Sequence, residues 1–488
     1  MTAKKQKIRR PKPELARGFR DISGAYLEHR NNAIAVLSEI YKSYGFQQLE
    51  TPVLEYAESL GKFLPDVDRP EGGVFGLKDD DEQWFAMRYD LTAPLARFTA
   101  KNAQFLPKPY KRFQVGSVFR NEKPGAGRFR EFTQFDADSV DTANIAADTE
   151  LCLMLSEGLC QLGIDYTDVN ININNRKLLT AVLELSGLLG DDLLIQKQRG
   201  IAMRAIDKLD RLGIDGVELL LGSGRKDESG DYTEGAQLTR DQIAIILNFI
   251  QARGVDNTKT LKNLHDIVKK SDIGNDGIDE LDKMMSLLNG AGQHPHFFLN
   301  PAIVRGLGYY TGPVFEAELT FDVPNDKGKM VQFGSVAGGG RYDELVKRFT
   351  GQEVPAVGVS IGLDRLLSAL EAKSLISQEK QSSILVCVMD TDHIADYFHI
   401  AKTLRMHHMT VDLYVGSGSM KAQMKYADKK NATIAIIQGS DERVKGNVII
   451  KDLQFRARFG DHPPQGVLQQ VECELSQMIS NVHLFLNR

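Results

Sequence analysis

Several stretches of this chain bring arginine together with glycine or aromatic residues in a way that suits an anionic, planar ligand. Phe119-Arg120-Asn121-Glu122 stands eight residues before Arg128-Phe129-Arg130-Glu131-Phe132. In an antiparallel hairpin, Arg120 and Glu122 point to one face, and Phe132 and Gln134 return beside them. A guanidinium fork grips a phosphate with two bonds, a ring stacks on a base, and a carboxylate orders basic groups or a base amine. Taken alone, such a cross-strand Arg–Glu pair is more often structural. Further on stand Arg305-Gly306-Leu307-Gly308-Tyr309-Tyr310-Thr311-Gly312, then Gly338-Gly339-Gly340-Arg341-Tyr342-Asp343. The last is Gly358-Val359-Ser360-Ile361-Gly362-Leu363-Asp364-Arg365, with Arg365 in the first turn of a helix. Glycines beside arginine and tyrosine point to backbone that must approach something closely. The triple glycine lacks both the P-loop lysine and the dinucleotide-binding spacing, so neither of those phosphate sites is present here.

The elements that must carry these residues follow from hydrophobic period. A helical pattern over Glu28–Tyr44 ends at Gly45 and leads into a strand, Gln47–Pro52. Residues 84–88 read as a strand before a helix whose start is marked by Asp90 and Thr92. Tyr110–Val118 and Phe129–Asp136 form the hairpin, with a long tip at Asn121–Arg128. Residues 145–162 are helical, and Cys152 and Cys160 share their apolar face as packing residues. From about Lys177 to Asn289 the pattern is helical and broken by Gly/Asp/Ser turns, which predicts an inserted helical subdomain. Strands return at Phe315–Phe321, Met330–Val336 and Ala356–Ile361, with a helix expected at Tyr342–Phe349 and another from Leu363. After a polar linker, strands and helices alternate from Ile384 to Asp452, the pattern of a small α/β domain.

Composition narrows the class. The 488 residues are about three times a typical domain of roughly 150, which predicts two to four domains. With 42% hydrophobic and 26% charged residues the chain reads as globular, not disordered or fibrous. No apolar run reaches the roughly 18 residues of a membrane span. Four scattered cysteines without a CxxC predict a reducing, cytoplasmic setting. A net charge of −5 requires that any nucleic-acid binding use local patches. Two exist, at residues 1–20 and 108–130; the first reads as a solvated, flexible start, and the second contains the hairpin arginines.

As a set, these motifs are distinctive. Phe-Arg-x-Glu on a hairpin with Gly-x-Gly-Leu-Asp-Arg before a helix resembles motifs 2 and 3 of class II aminoacyl-tRNA synthetases. The helix and strand ending at Pro52 resemble motif 1, the dimer element. Arg305-Gly-Leu-x-Tyr-Tyr-Thr-Gly312 resembles the stretch that marks the histidyl-tRNA synthetases within that class, with Gly308 where that family usually has aspartate. Ala86–Pro94, Arg17–Asp21 and the C-terminal Tyr426–Glu442 resemble the same family, so the likeness runs from about residue 16 to 455. It implies an α/β fold with an α+β catalytic core: a class II synthetase antiparallel sheet flanked by helices, a helical insertion and a C-terminal α/β anticodon-binding domain. The expected bounds are 1–15 for the basic N-terminus, 16–176 and 296–372 for the catalytic halves, 177–295 for the insertion, 373–382 for the linker and 383–488 for the anticodon domain.

The resemblance also implies roles. Arg120 and Arg305 would hold the α-phosphate of ATP and be catalytic, also touching histidine; Arg128 and Arg365 would hold the outer phosphates. Glu122 would face the adenine and Phe132 stack on it. Asp90, Leu91, Thr92 and Gln134 would surround the α-ammonium of histidine, and Asp138 and Tyr310 would read the imidazole, with Tyr309 beside them. Mg²⁺ would bridge the phosphates without dedicated protein ligands, and the partners would be tRNA(His), L-histidine, ATP and a second copy in a homodimer. Two imidazole nitrogens allow discrimination on the order of 10⁴–10⁵ without editing. The alternative is a non-catalytic, histidine-sensing regulatory paralogue of the ATP phosphoribosyltransferase system; the arginines and the C-terminal domain argue against it. His294, His296, His407 and His408 have no nearby Cys, Asp or Glu at metal-ligand spacing and read as solvent-facing or packed, and Lys421, Lys425, Lys429 and Lys430 form either a solvated face or a phosphate-binding one.

Overall fold

The computed structural model describes residues 12–60, 73–124, 129–226, 230–292, 295–304, 309–324, 328–376, 383–460 and 464–486. It divides into two compact units, residues 1–377 and 378–488. Among the described residues no helix is long and apolar enough to cross a membrane.

The first unit opens with helix α1 (Ala25–Ser43), strands β1 (Gln47–Gln48) and β2 (Leu54–Tyr56), helix α2 (Ala57–Leu60), strands β3 (Gly76–Lys78) and β4 (Trp84–Met87), and helix α3 (Thr92–Asn102). The hairpin follows as β5 (Tyr110–Phe119) and β6 (Glu131–Val140), then α4 (Ala146–Gln161) and β7 (Val169–Asn175). Helices α5 (Arg176–Leu185), α6 (Leu193–Ile206) and α7 (Leu209–Leu221), the small strands β8 (Gly224–Lys226) and β9 (Tyr232–Glu234), and helices α8 (Arg240–Ile250), α9 (Asn257–Val268) and α10 (Asp272–Gly290) form the insertion. The chain returns through β10 (Phe297–Leu299), β11 (Pro313–Pro324), β12 (Met330–Tyr342), α11 (Lys347–Thr350), β13 (Ala356–Gly362) and α12 (Leu363–Ala372).

Eight of these strands form one sheet in the order β1-β5-β6-β13-β12-β11-β7-β10, antiparallel except for its two edge pairs. Its register sorts side chains by chemistry. Phe113, Phe135, Ala137, Val357, Val359, Ile361, Phe315, Ile171 and Ile173 fall on one face and are buried. They pack with Leu37 and Tyr41 of α1, Leu151 and Leu155 of α4, and Leu366 and Leu370 of α12 in a single cluster. The other face carries Arg112, Gln114, Gln134, Asp136, Asp138, Ser360 and the glycines Gly338, Gly340 and Gly358. A period of two thus separates a greasy face that helices cover from a polar face free to take a ligand.

Two expectations need correction. Strand β12 does not stop at Val336, and no helix runs from Tyr342 to Phe349. The strand continues through Gly338-Gly339-Gly340 to Tyr342, pairing with β11 on one side and β13 on the other. The glycines are there because space is short: a Cβ on Gly339 would lie 2.6 Å from the Phe315 ring. The helical residues are only Lys347–Thr350. The insertion also shares the main core, since Val217, Phe249, Leu264 and Leu281 belong to the same cluster as the sheet. Of the linker, Lys373 pairs with Asp168 at 2.9 Å and Ile376 packs on that core; residues 377–382 lie outside the described part.

The second unit is a five-stranded sheet ordered β15-β14-β16-β17-β18, where β14 is Ser383–Val386, β15 Val411–Leu413, β16 Ala432–Ile437, β17 Asn447–Asp452 and β18 Gln470–Glu474. The first three strands are parallel, with helices α13 (Ile394–Met406) and α14 (Met420–Lys430) between them, as their alternation predicts. Strand β18 and the terminal helix α15 (Met478–Leu486) were not legible; Met478, Val482 and Phe485 of that helix fill the core beside Ile434 and Ile450.

Candidate active site

The hairpin register places the expected residues together. Gln134 faces Gly116 and Phe132 faces Val118, and Arg120 continues the ladder through its N–H to the Arg130 carbonyl at 2.8 Å. Glycine at 116 leaves room for Arg88, which lies across the strand and donates to the Ser117 and Thr51 carbonyls, both at 2.8 Å. The Arg120 guanidinium lies between two rings, 4.4 Å from the centroid of Tyr89 and 5.0 Å from that of Phe132. Tyr89 in turn donates to Glu122 Oε1 at 3.0 Å. Tyr89 was missed in the sequence; it stands directly before Asp90, and only the fold brings it to Arg120.

Asp90 caps α3. Its Oδ1 accepts from the backbone N–H groups of Thr92 at 3.0 Å and Ala93 at 2.9 Å, which explains why the helix begins there. Leu91 is buried, and its carbonyl accepts from Arg112 Nη2 at 3.0 Å. That arginine, fully buried, also pairs with Asp138 Oδ2 at 2.7 Å. Asp138 is held a second time by the hydroxyl of Tyr342. Asp138 is therefore committed to the protein's own groups on two sides, more than its expected role in reading an imidazole requires.

Asp136, two residues earlier on the same face, is the less satisfied carboxylate. Its pKa is pushed up to about 7 by burial, with Asp138 and Asp90 adding to the rise and Arg112 and Ser360 opposing it. Asp138 is also raised, again by burial against the pull of Arg112 and Tyr342. Tyr309 and Tyr310 pack edge to face, 5.0 Å between centroids, and Tyr309 lies 5.3 Å from Tyr342. Burial raises all three hydroxyls well above the usual tyrosine value, with Asp138 contributing to each, so they remain proton donors. Tyr310 rests against Gly340, and Tyr309 bonds the Thr92 side chain.

Several of the buried polar atoms without a partner among the described residues lie on this face: Gln134 Oε1, Asp136 Oδ1, Arg120 Nε, and Nε and Nη1 of Arg112. Gln134 uses its amide nitrogen on Ser360 Oγ at 2.8 Å, which leaves the oxygen directed elsewhere. Arg365 is exposed at the start of α12 and donates to the Phe333 carbonyl at 2.8 Å, with its guanidinium over that ring. Arg128 and Arg305 lie outside the described residues, as does Gly308. Of the other expected residues, Gln134 and Asp138 share the polar face of the sheet, and Arg120, Glu122 and Phe132 cluster with Tyr89 at the hairpin's loop end. Asp90, Leu91 and Thr92 are joined to Asp138 through Arg112. Tyr309 and Tyr310 pack by Tyr342 and Gly340, and Arg365 stands at the start of α12 over Phe333.

Comparison with known proteins agrees with this arrangement. Residues 18–366 match the family described as histidyl-tRNA synthetase, and residues 381–472 match the anticodon binding domain. The histidine–tRNA ligase of Jannaschia sp. (strain CCS1) is 49% identical over 504 aligned residues, covering 100% of this chain and 99% of that protein. That of Dinoroseobacter shibae is 52% identical, again over 100% and 99%. The crystal structure of histidyl-tRNA synthetase from Nostoc sp. PCC 7120 superposes with a TM-score of 0.72 at 27% identity, over 97% of this chain and 100% of that one. Ligase relatives aligned end to end, with the anticodon domain included, set aside the regulatory alternative. A polar sheet face with arginine between two rings, and a match that covers both units, place this chain in the histidyl-tRNA synthetase family.

Proposed function

We propose that the polar face of the large sheet activates histidine with ATP and delivers it to the 3′ end of its tRNA. The chain is a histidine–tRNA ligase, and ATP, histidine and tRNA are its substrates. One observation carries the assignment of the chemistry to this face: Arg120 Nε, Gln134 Oε1 and Asp136 Oδ1 are buried together with nothing described to satisfy them. Each such atom costs about 1–3 kcal/mol when left dry, so a polar ligand completes the fold here.

Histidine is held at both ends. Its ammonium sits by Asp90, Thr92, the Leu91 backbone and Gln134 Oε1; its imidazole meets the hydroxyls of Tyr309 and Tyr310 and the carboxylate of Asp138. Arg120, with Arg305, draws the α-phosphate toward the histidine carboxylate. A carboxylate oxygen bonds to that phosphorus as its bond to pyrophosphate breaks. A terminal ribose hydroxyl of the tRNA then attacks the histidyl carbonyl, and AMP leaves. Fixed guanidinium groups stabilise the negative charge that gathers on the phosphoryl oxygens, because they are preorganised where it develops. Arg365 and Arg128 take the outer phosphates, Phe132 stacks on the adenine and Glu122 faces its edge. Mg²⁺ would supply further neutralisation of the triphosphate charge, with no dedicated protein ligands expected.

The same reading assigns residues 177–295 to the acceptor stem and 383–488 to the anticodon. It takes the working form as a cytoplasmic homodimer, with residues 1–15 a basic lead. The test is ATP–pyrophosphate exchange on the purified chain without tRNA. Exchange with histidine alone, abolished in Arg305→Ala, is expected. Exchange that survives that change would remove Arg305 from the catalytic step.

A further inference from the structure

The stretch ahead of α1 runs along the loop end of the hairpin, where β6 begins. The Arg130 N–H donates to the Gly18 carbonyl at 2.8 Å, and the Arg130 side chain packs so closely that a Cβ on Gly18 would lie 2.8 Å from its Cγ, at a φ of 87°. Phe19 packs on Phe75, with centroids 5.8 Å apart. These contacts deliver Arg20 to a junction of three elements. Its guanidinium lies 3.9 Å from the centroid of Phe129 at the base of β6. Its Nη2 pairs with Asp364 in the first turn of α12 and lies 3.2 Å from the hydroxyl of Tyr26 in α1. Tyr26 donates to Asp364 Oδ1 at 2.7 Å, and the Thr133 backbone N–H donates to Oδ2 at 2.7 Å. Both oxygens of Asp364 are thus used, and each partner comes from a different element.

The neighbours of these residues matter. Asp364 precedes Arg365, and Thr133 follows Phe132. A carboxylate at a helix N-terminus is favourable without any arginine, because the helix dipole already supports it. What Arg20 adds is a link, since a planar guanidinium can pair through its edge and stack through its face at the same time.

We propose that Arg20 is a positioning residue for ATP: it locks the Phe129–Thr133 stretch of the hairpin to the start of α12, so that Phe132 and Arg365 meet the nucleotide as one rigid unit. This rests on the reading that Phe132 and Arg365 hold ATP, and the experiment separates the two claims. KM values for ATP and for histidine are measured by pyrophosphate exchange on the full chain for Arg20→Ala, Arg20→Lys and Arg365→Ala, with thermal midpoints alongside. Loss of a charge-assisted bond at this junction predicts a KM for ATP raised on the order of tenfold in Arg20→Ala, with the KM for histidine unmoved. Arg20→Lys keeps the charge but not the stacking, so it falls between; it carries the test should the alanine variant fail to fold. Arg20→Ala with both KM values unchanged and only a lower midpoint would make Arg20 a simple tether and overturn the proposal. Both KM values rising together would overturn it as well. Should Arg365→Ala leave the KM for ATP unchanged, the ATP reading itself fails and the proposal with it.

Discussion

Arg112 and Asp138 face each other across the hairpin as a buried ion pair, 2.7 Å from Nη2 to Oδ2, with 0% and 3% of their side chains exposed. The pair sits between the loop that caps α3, through the Leu91 carbonyl, and Tyr342 on β12. It joins the two walls of the proposed histidine pocket, and Tyr342 and the Leu91 carbonyl add to what each charge receives from the other.

Removing one partner should therefore be severe. Arg112→Met leaves the buried Asp138 without its ion-pair partner and is expected to cost about 3–5 kcal/mol of folding stability. The double variant Arg112→Met, Asp138→Leu replaces both charges with apolar volume and should recover most of that loss while remaining inactive in exchange. Chemical denaturation of the three proteins measures the difference. A double variant no more stable than the single one would mean that the pair's worth is not electrostatic.

Asp136 predicts a pH dependence. Its carboxyl releases its proton at about 7 in the fold, chiefly because of burial, and near its ordinary value of 3.8 when unfolded. Between those values the folded chain binds the extra proton, so the contribution is present at acid pH and is lost as pH rises toward 7. Asp136→Asn cannot titrate and should lose less stability than the parent between about pH 5 and about pH 8. Unfolding free energies at both pH values give the two slopes, and parallel slopes would contradict the account.

Arg120 lies between Tyr89 and Phe132, a site that rewards a flat cation. Arg120→Lys should keep the fold yet lose most activity, because an ammonium offers neither the stacking face nor the fork. Loss of a preorganised charge at the reacting phosphate is expected to cost roughly 10²–10³-fold in exchange rate. Steady-state exchange with saturating substrates is the check; a lysine variant near parental rate would leave Arg120 outside the transition state.

The pocket should also reject other amino acids without a second site. Phenylalanine has the ring but no nitrogens, so hydroxyls and carboxylates placed for an imidazole would be stranded, a discrimination on the order of 10⁴–10⁵. Exchange with each amino acid in turn, and deacylation of mischarged tRNA, test this. Measurable deacylase activity would be decisive against it.

How much of this was legible in sequence depended on whether the signal was local. The alternation Arg112-x-Gln114 and Gln134-x-Asp136-x-Asp138 states the hairpin's polar face outright, and strand pairing put Gln134 and Phe132 where period two requires. The capping role of Asp90 was equally plain. Tyr342 was misread because three glycines look like a break, whereas here they are the thin part of a strand between Phe315 of β11 and Val359 of β13. Arg20, Tyr89 and Asp364 were invisible as partners because their contacts span up to 344 residues and have no local pattern.

Gly358 gives the sharpest test of the pocket's geometry. It stands opposite Asp138 in the ladder between β13 and β6, and a Cβ there would collide with Asp138 Oδ1 and lie 2.8 Å from Cγ. That oxygen is the one Tyr342 holds. Gly358→Ala must therefore push the carboxylate away from Tyr342, while Phe132 and Arg365 are left where they are. The expected result is a KM for histidine raised by on the order of tenfold or more, as a charged hydrogen bond is lost, and a KM for ATP that stays at the parental value. Asp138→Ser in the same chain frees the space but strands the buried Arg112, so neither histidine binding nor the thermal midpoint is expected to recover. If instead Gly358→Ala raises the KM for ATP and spares histidine, Asp138 does not face the amino acid, and the less satisfied Asp136 takes its place.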